Sequence, residues 1–212
     1  GTNISVIFEP NKDMAQSALK VAPEAVFADN LEGLLEFSDL DCLVIASPNH
    51  CHLPQLRKIA EMRNLPILVE KPLFTAVKDK EIILNFARDY KAPVWVAMEY
   101  RYMPPVARLI NEVSKGTIGS LKMLSIREHR FPFFVKVNDW NRFSKNTGGT
   151  LVEKCCHFFD LMRLVTNSEA VSVYASGAQD VNHLNERYDG KKPDIIDNAF
   201  VIINFENDVR CM

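Results

Sequence analysis

A chain of 212 residues is long enough to bury a real core, as one large domain or two small ones. Its 47% hydrophobic and 25% charged content is that of an ordinary globular protein. A net charge of −2 without a basic run argues against a nucleic-acid surface, and apolar runs no longer than a strand argue against a membrane-spanning helix. No signal peptide is visible, and five cysteines with no CxxC pairing suit a reducing compartment, the cytoplasm. Cys155-Cys156-His157 holds three potential metal ligands, but neighbours on a helix point about 100° apart and do not share one ion, so no metal is expected.

In chain order, Ile4–Phe8 reads as a buried strand ending at Glu9, before a Pro10-Asn11 turn. A helix is predicted from Asp13 to Val21 and a strand over Ala25–Ala28. Asp29 or Asn30 then caps a short helix through Phe37. Cys42–Ala46 is another strand, broken by Ser47-Pro48-Asn49, with a helix from about Leu53 to Met62. Pro66–Glu70, a helix from Val77 to Tyr90, and Pro93–Met98 continue the alternation. Continuous apolar strands alternating with helices predict a parallel sheet covered on both faces.

After Tyr100 the rhythm changes. A helix is predicted over Pro104–Lys115 and a strand over Leu121–Glu128. Residues 131–147 form a polar-aromatic loop, residues 148–165 one helix, and Val171–Tyr174 and Ala199–Phe205 two strands. The expected fold is α/β: a Rossmann-type parallel sheet over residues 1–99, then an α+β domain with a largely antiparallel sheet over 100–212.

Two regions carry candidate chemistry. In open parallel sheets ligands sit beyond the carboxyl ends of the strands. Glu9, Ser47-Pro48-Asn49 with His52, and Glu70-Lys71-Pro72 all fall at such ends. An acid at Glu9 can bind ribose hydroxyls and repel a 2′-phosphate, although an ordinary turn acid looks the same. Ser47 and Asn49 can hold a nucleotide edge or simply cap the following helix. Lys71 can serve as acid, base or substrate clamp, beside a proline that can be cis.

The second region is the 148–165 helix, where Glu153, His157 and Asp160 fall on one stripe about 60° wide on an otherwise apolar surface. An exposed pair at this spacing contributes only about 0.2–0.5 kcal/mol. A cleft therefore explains the stripe better than stability does.

Ser-Pro-Asn-x-x-His at 47–52, Glu-Lys-Pro at 70–72, Tyr-Arg-Tyr-x-Pro at 100–104, and Gly148-Gly149 leading to Glu153 and His157 together resemble the glucose–fructose oxidoreductase/inositol dehydrogenase (Gfo/Idh/MocA) family over essentially the whole chain. The resemblance implies an NAD(P)-dependent oxidoreductase that moves hydride to or from a secondary alcohol of a sugar, cyclitol or related polyol. Lys71 corresponds to the family lysine near substrate and nicotinamide, His157 to its helix histidine, and Asp160 to a further family acid. The acid before the histidine is usually Asp and here is Glu153. No G-x-G-x-x-G occurs in the sequence, and the phosphate-cradling strand and turn are expected ahead of residue 1.

The resulting expectations are catalytic Lys71, His157 and Glu153. Cofactor contacts from Glu9, Ser47, Pro48, Asn49, His52, Glu70 and Lys71 are expected to select NAD, with NADP still open. Arg101, Trp140 and Asp160 are candidates for the substrate. Association into a homodimer or homotetramer is expected through the C-terminal sheet. The rival class is a nucleotide- or sugar-sensing regulator that keeps the fold without catalysis.

Overall fold

The structure, a computed structural model, describes residues 2–212. The chain divides into two compact units, one ending at Val96 and one running Ala97–Met212.

The first unit alternates strand and helix: β1 (Val6–Ile7), α1 (Lys12–Leu19), β2 (Val26–Phe27), α2 (Leu31–Leu35), β3 (Leu43–Ile45), α3 (Asn49–Met62), β4 (Ile67–Val69), α4 (Lys80–Asp89) and β5 (Val94–Val96). All pairings are parallel, as the apolar runs predict, with β1 beside β2 and β3-β4-β5 in order. Each ladder is shorter than its apolar run, because only the central two or three residues pair. Asn11 opens α1 by accepting from Asp13 and Met14 N–H groups at 3.1 and 3.0 Å. Asn30, not Asp29, caps α2 through Gly33 N–H at 2.7 Å.

The core of this unit is one-sided. Leu43, Ile45, Ile67 and Val69 pack with Leu35, Leu53, Leu56, Ile59 and Ile83 from the helices. The alternate residues Val44, Leu68 and Trp95 pair in register on the opposite face and stay 66%, 43% and 57% exposed. The expectation of a sheet covered on both faces is thus corrected among the described residues. A run that is apolar throughout shows that both faces avoid charge, but not what lies against each.

The second unit holds α5 (Pro104–Ser114), β6 (Met123–Leu124), α6 (Ser144–Thr147), α7 (Thr150–Glu153), α8 (Cys156–Thr166), β7 (Ala170–Ala178), β8 (Asn198–Phe205) and β9 (Arg210–Cys211). Its sheet runs β6-β9-β8-β7, antiparallel except for β6 with β9. Ile203, Phe205, Val209 and Cys211 pack against Met162 and Phe159 of α8. Two corrections apply here. The strand expected over Leu121–Glu128 is regular only at Met123–Leu124, with backbone bonds reaching Lys122 and Ile126, and the expected single helix over 148–165 is two, α7 and α8.

Carboxylates hold the long β7–β8 connection. Asp197 accepts from the backbone N–H groups of Asp180, Val181 and Asn182 at 3.2, 2.8 and 2.6 Å. Glu186 accepts from Arg142 Nε at 2.8 Å and from the Tyr188 hydroxyl at 2.7 Å, with His183 Nδ1 at 2.8 Å.

Candidate active site

In the first unit the predicted residues lie at the carboxyl ends of parallel strands. Glu9 is half-buried beyond β1, and its Oε1 accepts from Asn11 N–H at 2.7 Å. The residue that starts α1 therefore also fixes the acid. Beyond β3, α3 begins at Asn49, four residues earlier than its apolar pattern suggests. Neither Ser47 nor Asn49 caps it: the cap position is Pro48, and the Ser47 hydroxyl donates to Gln55 Oε1 at 2.6 Å. Beyond β4, the Lys71–Pro72 peptide is cis, Lys71 is half-buried, and Glu70 turns its carboxylate back onto Lys71 N–H at 3.2 Å.

His52 joins the last two turns. It is 0% exposed, with Nδ1 2.8 Å from the Pro72 carbonyl oxygen and Nε2 2.8 Å from the Ser47 carbonyl oxygen. Both ring nitrogens face backbone carbonyls, so His52 pins two strand-end turns to each other. A shallow groove between the carboxyl-terminal halves of α3 and α4, lined by Arg57, Glu61, Asn64, Asp89 and Lys91, belongs to the opposite ends of the strands. It holds none of the predicted residues.

In the second unit, Gly148 and Gly149 lead into α7 with φ of +82° and +84°, the left-handed region that side chains resist. The helix breaks at Lys154–Cys155, where the Cys156 thiol donates to the Glu153 carbonyl oxygen at 3.7 Å. His157 then falls in the first turn of α8, 1% exposed. The break means that Glu153 and His157 are not spaced as on one continuous helix. The carboxylate facing the imidazole is Glu99, whose Oε1 lies 3.3 Å from Nε2.

Glu99 belongs to a 3-10 turn, Glu99–Tyr102. Tyr100 from the same turn stacks on the imidazole with centroids 4.2 Å apart and planes within 6°. Its hydroxyl takes a hydrogen bond from Lys154 Nζ. Arg101 clamps the turn to α8: its Nε donates to Asp160 Oδ2 at 2.6 Å, and a second nitrogen donates to Oδ1. That bond holds the guanidinium pKa above its ordinary value. Arg101 and Asp160, both expected to face substrate, are thus committed to each other in this structure.

Trp140 is half-buried in the 3-10 segment Val137–Arg142, with its carbonyl accepting from Asn146 at 2.9 Å. Burial, and then the charge of Glu128, push the Cys155 thiol pKa up, which suits a packing role. Glu99, Tyr100 and Lys154 have no role in the sequence reading. Their contacts with α8 or with each other bridge more than fifty residues, beyond the reach of any helical-spacing argument.

Comparison with known proteins agrees with this architecture. Residues 1–98 match the family described as "Oxidoreductase family, NAD-binding Rossmann fold", and residues 110–212 match "Oxidoreductase family, C-terminal alpha/beta domain". The chain is similar to the rhizopine catabolism protein MocA of Rhizobium meliloti, at 26% identity over 167 residues, 78% of this chain and 50% of that protein. It is also similar to inositol 2-dehydrogenase of Corynebacterium glutamicum, at 30% identity over 174 residues, 82% of this chain and 49% of that protein. The chain thus spans about half the length of the curated relatives it matches.

Among solved structures, a levoglucosan dehydrogenase in complex with NADH and levoglucosan superposes with a TM-score of 0.80 at 21% identity, over 99% of this chain and 56% of that one. The WlbA dehydrogenase of Bordetella pertussis, in complex with NADH and UDP-GlcNAcA, gives 0.78 at 19%, over 99% and 57%. At these identities the superpositions establish the fold. With both of its units matched, the chain belongs to the Gfo/Idh/MocA oxidoreductase family.

Proposed function

We propose that this protein is an NAD-dependent dehydrogenase acting on a secondary alcohol of a sugar, cyclitol or related polyol. The observation that carries the reading is the buried His157 imidazole, which faces the Glu99 carboxylate at 3.3 Å on a helix entered through two left-handed glycines. An ordinary packing histidine needs neither a carboxylate at its ring edge nor that entry.

The first unit suits the cofactor in part. Glu9 is held rigidly beyond β1, where a carboxylate binds ribose hydroxyls and repels a 2′-phosphate. The Ser47-Pro48-Asn49 turn and Lys71 occupy the neighbouring strand ends, fixed to each other through His52. The described residues contain no glycine-rich turn for a pyrophosphate. NAD, when bound, accepts or supplies the hydride; the protein supplies orientation and proton handling.

His157 takes the hydroxyl proton of the substrate as general base. Glu99, whose carboxylate faces Nε2, orients the ring. The Lys71 ammonium stabilises the developing alkoxide. Association is through the second unit's sheet.

Absorbance at the reduced-nicotinamide band tests this reading in a screen of NAD against myo-inositol and other polyols. Turnover is expected, and His157→Ala and Lys71→Ala should each reduce it by about 10²-fold or more. Near-normal rates in both variants would remove these residues from the mechanism. Cofactor binding without turnover on any polyol would favour a regulatory protein instead.

A further inference from the structure

Lys154 bonds the hydroxyl of the tyrosine that stacks on His157. Its side chain is only 13% exposed, and its nearest carboxylate, Glu128, stands 3.7 Å away. Its hydrogen-bond partner is the neutral Tyr100 hydroxyl. Nζ is 4.7 Å from the Tyr100 ring centre. Because it also touches the hydroxyl, it sits at the ring's edge. The contact is therefore a charge-assisted hydrogen bond, not a cation over the ring face.

Taking an ammonium out of water costs free energy unless a good partner compensates. The Glu128 carboxylate at 3.7 Å offsets part of that cost as an ion pair, but it does not account for the bond to the Tyr100 hydroxyl. The far end of the chain of contacts does. Tyr100, pinned at its hydroxyl and flanked by Phe158 at 6.1 Å, presents its face to His157 at 4.2 Å in a nearly parallel stack. A ring pinned at one end has one orientation, and an imidazole lying flat against it has its plane fixed as well. The Nε2 edge is thereby kept toward Glu99.

We propose that Lys154 and Tyr100 are positioning residues for His157: the lysine locks the tyrosine hydroxyl, and the tyrosine face sets the plane of the imidazole. This rests on the reading of His157 as the acid–base group, and supporting side chains of this kind decide how well such a group is preorganised. Neither residue needs to touch substrate.

The test uses the full chain and begins with a readout independent of turnover. A ring stacked on an aromatic face has its carbon-bound protons shifted upfield. In a ¹³C–¹H spectrum of the histidine rings, His157 is assigned with His157→Gln. Tyr100→Leu and Lys154→Met should move its signals downfield, while Lys154→Arg, which keeps a cationic donor, should hold them near wild type. Thermal unfolding confirms that each variant is folded.

The second readout is kinetic, with NAD and myo-inositol, or the polyol of the screen that wild type oxidises fastest. Lys154→Met should lower kcat by roughly tenfold or more with KM within about twofold, the signature of a lost orientation rather than lost binding, and Lys154→Arg should restore most of the rate. Wild-type His157 signals in folded Lys154→Met would overturn the proposal. So would an unchanged kcat despite moved signals. If wild type oxidises no polyol, the proposed function fails by itself, and the ring signals alone decide whether Lys154 fixes the imidazole.

Discussion

Glu186 shows how one carboxylate can hold a long connection. Burial opposes its charge, but hydrogen bonds from His183, Tyr188 and Arg142 outweigh burial and bring its pKa from an ordinary 4.5 to about 2. A carboxylate whose pKa is lower in the folded state contributes stability above its unfolded value and loses it as pH falls through the folded one. The urea midpoint should therefore fall between about pH 4.5 and pH 2. In Glu186→Gln that fall should be shallower, leaving the share of Asp197, whose pKa the backbone N–H groups also draw to about 2 against the effect of burial. At neutral pH the same variant leaves the guanidinium of Arg142, 2% exposed, without its carboxylate. The expected loss is about 1–3 kcal/mol, read from denaturant unfolding. An equal acid dependence in wild type and variant would show that the connection is held by other contacts. At this scale the sequence makes individual residues legible but not their pairings. Lys71 and His157 stand out by motif. Glu99 on His157 and Arg101 on Asp160 do not, because both contacts close across nearly sixty residues.

Elements are more legible than their ends. Alternating apolar runs and helical spacing identify five parallel-pairing strands and the helices between them, since both signals are local. Strand ends are set by which backbone groups find a partner, and a sequence does not show that. The broken helix is the instructive case. Residues 148–165 keep an unbroken helical pattern, and nothing in composition marks Lys154–Cys155 as a break. A tertiary bond from Lys154 to Tyr100 and a local thiol–carbonyl contact accompany it.

Gly177 in β7 makes a prediction at the same scale. It sits opposite Ala199 of β8, and a Cβ there would come within 2.7 Å of the Asn198 carbonyl oxygen and 2.9 Å of the Ala199 Cβ. Neither neighbour is the free end of a flexible side chain, so the ladder itself must shift. Gly177→Ala should cost about 1–3 kcal/mol, although alanine suits a strand better than glycine. An unchanged denaturation midpoint would mean that the β7–β8 register can absorb a methyl group.

At the scale of the molecule, cofactor choice and self-association follow from surfaces rather than single contacts. The proposed role of Glu9, which Asn11 holds in place, predicts NAD over NADP, with Lys12 nearby as the cation that would soften the choice. Higher kcat/KM with NADP would overturn that assignment. The second unit's sheet bears on association. Ile203, Phe205 and Cys211 bury one face against α8. The other carries Tyr174 directly opposite Ile202, and Phe200 and Met123 with the same facing, at 67%, 44%, 72% and 75% exposure. A soluble monomer rarely keeps so many large apolar side chains together in water. A face that meets its own copy about a two-fold axis covers them in pairs, with Ser172, Asn204 and Arg210 forming a polar row beside them. Wild type is therefore expected to sediment as a dimer or tetramer. Phe200→Glu would place a charge on each side of the contact and should shift the species toward monomer while leaving the fold intact, since the replaced side chain is already exposed. Sedimentation velocity over a hundredfold concentration range decides it. If wild type stays monomeric throughout, or Phe200→Glu sediments as wild type does, this face is not where copies of the chain meet.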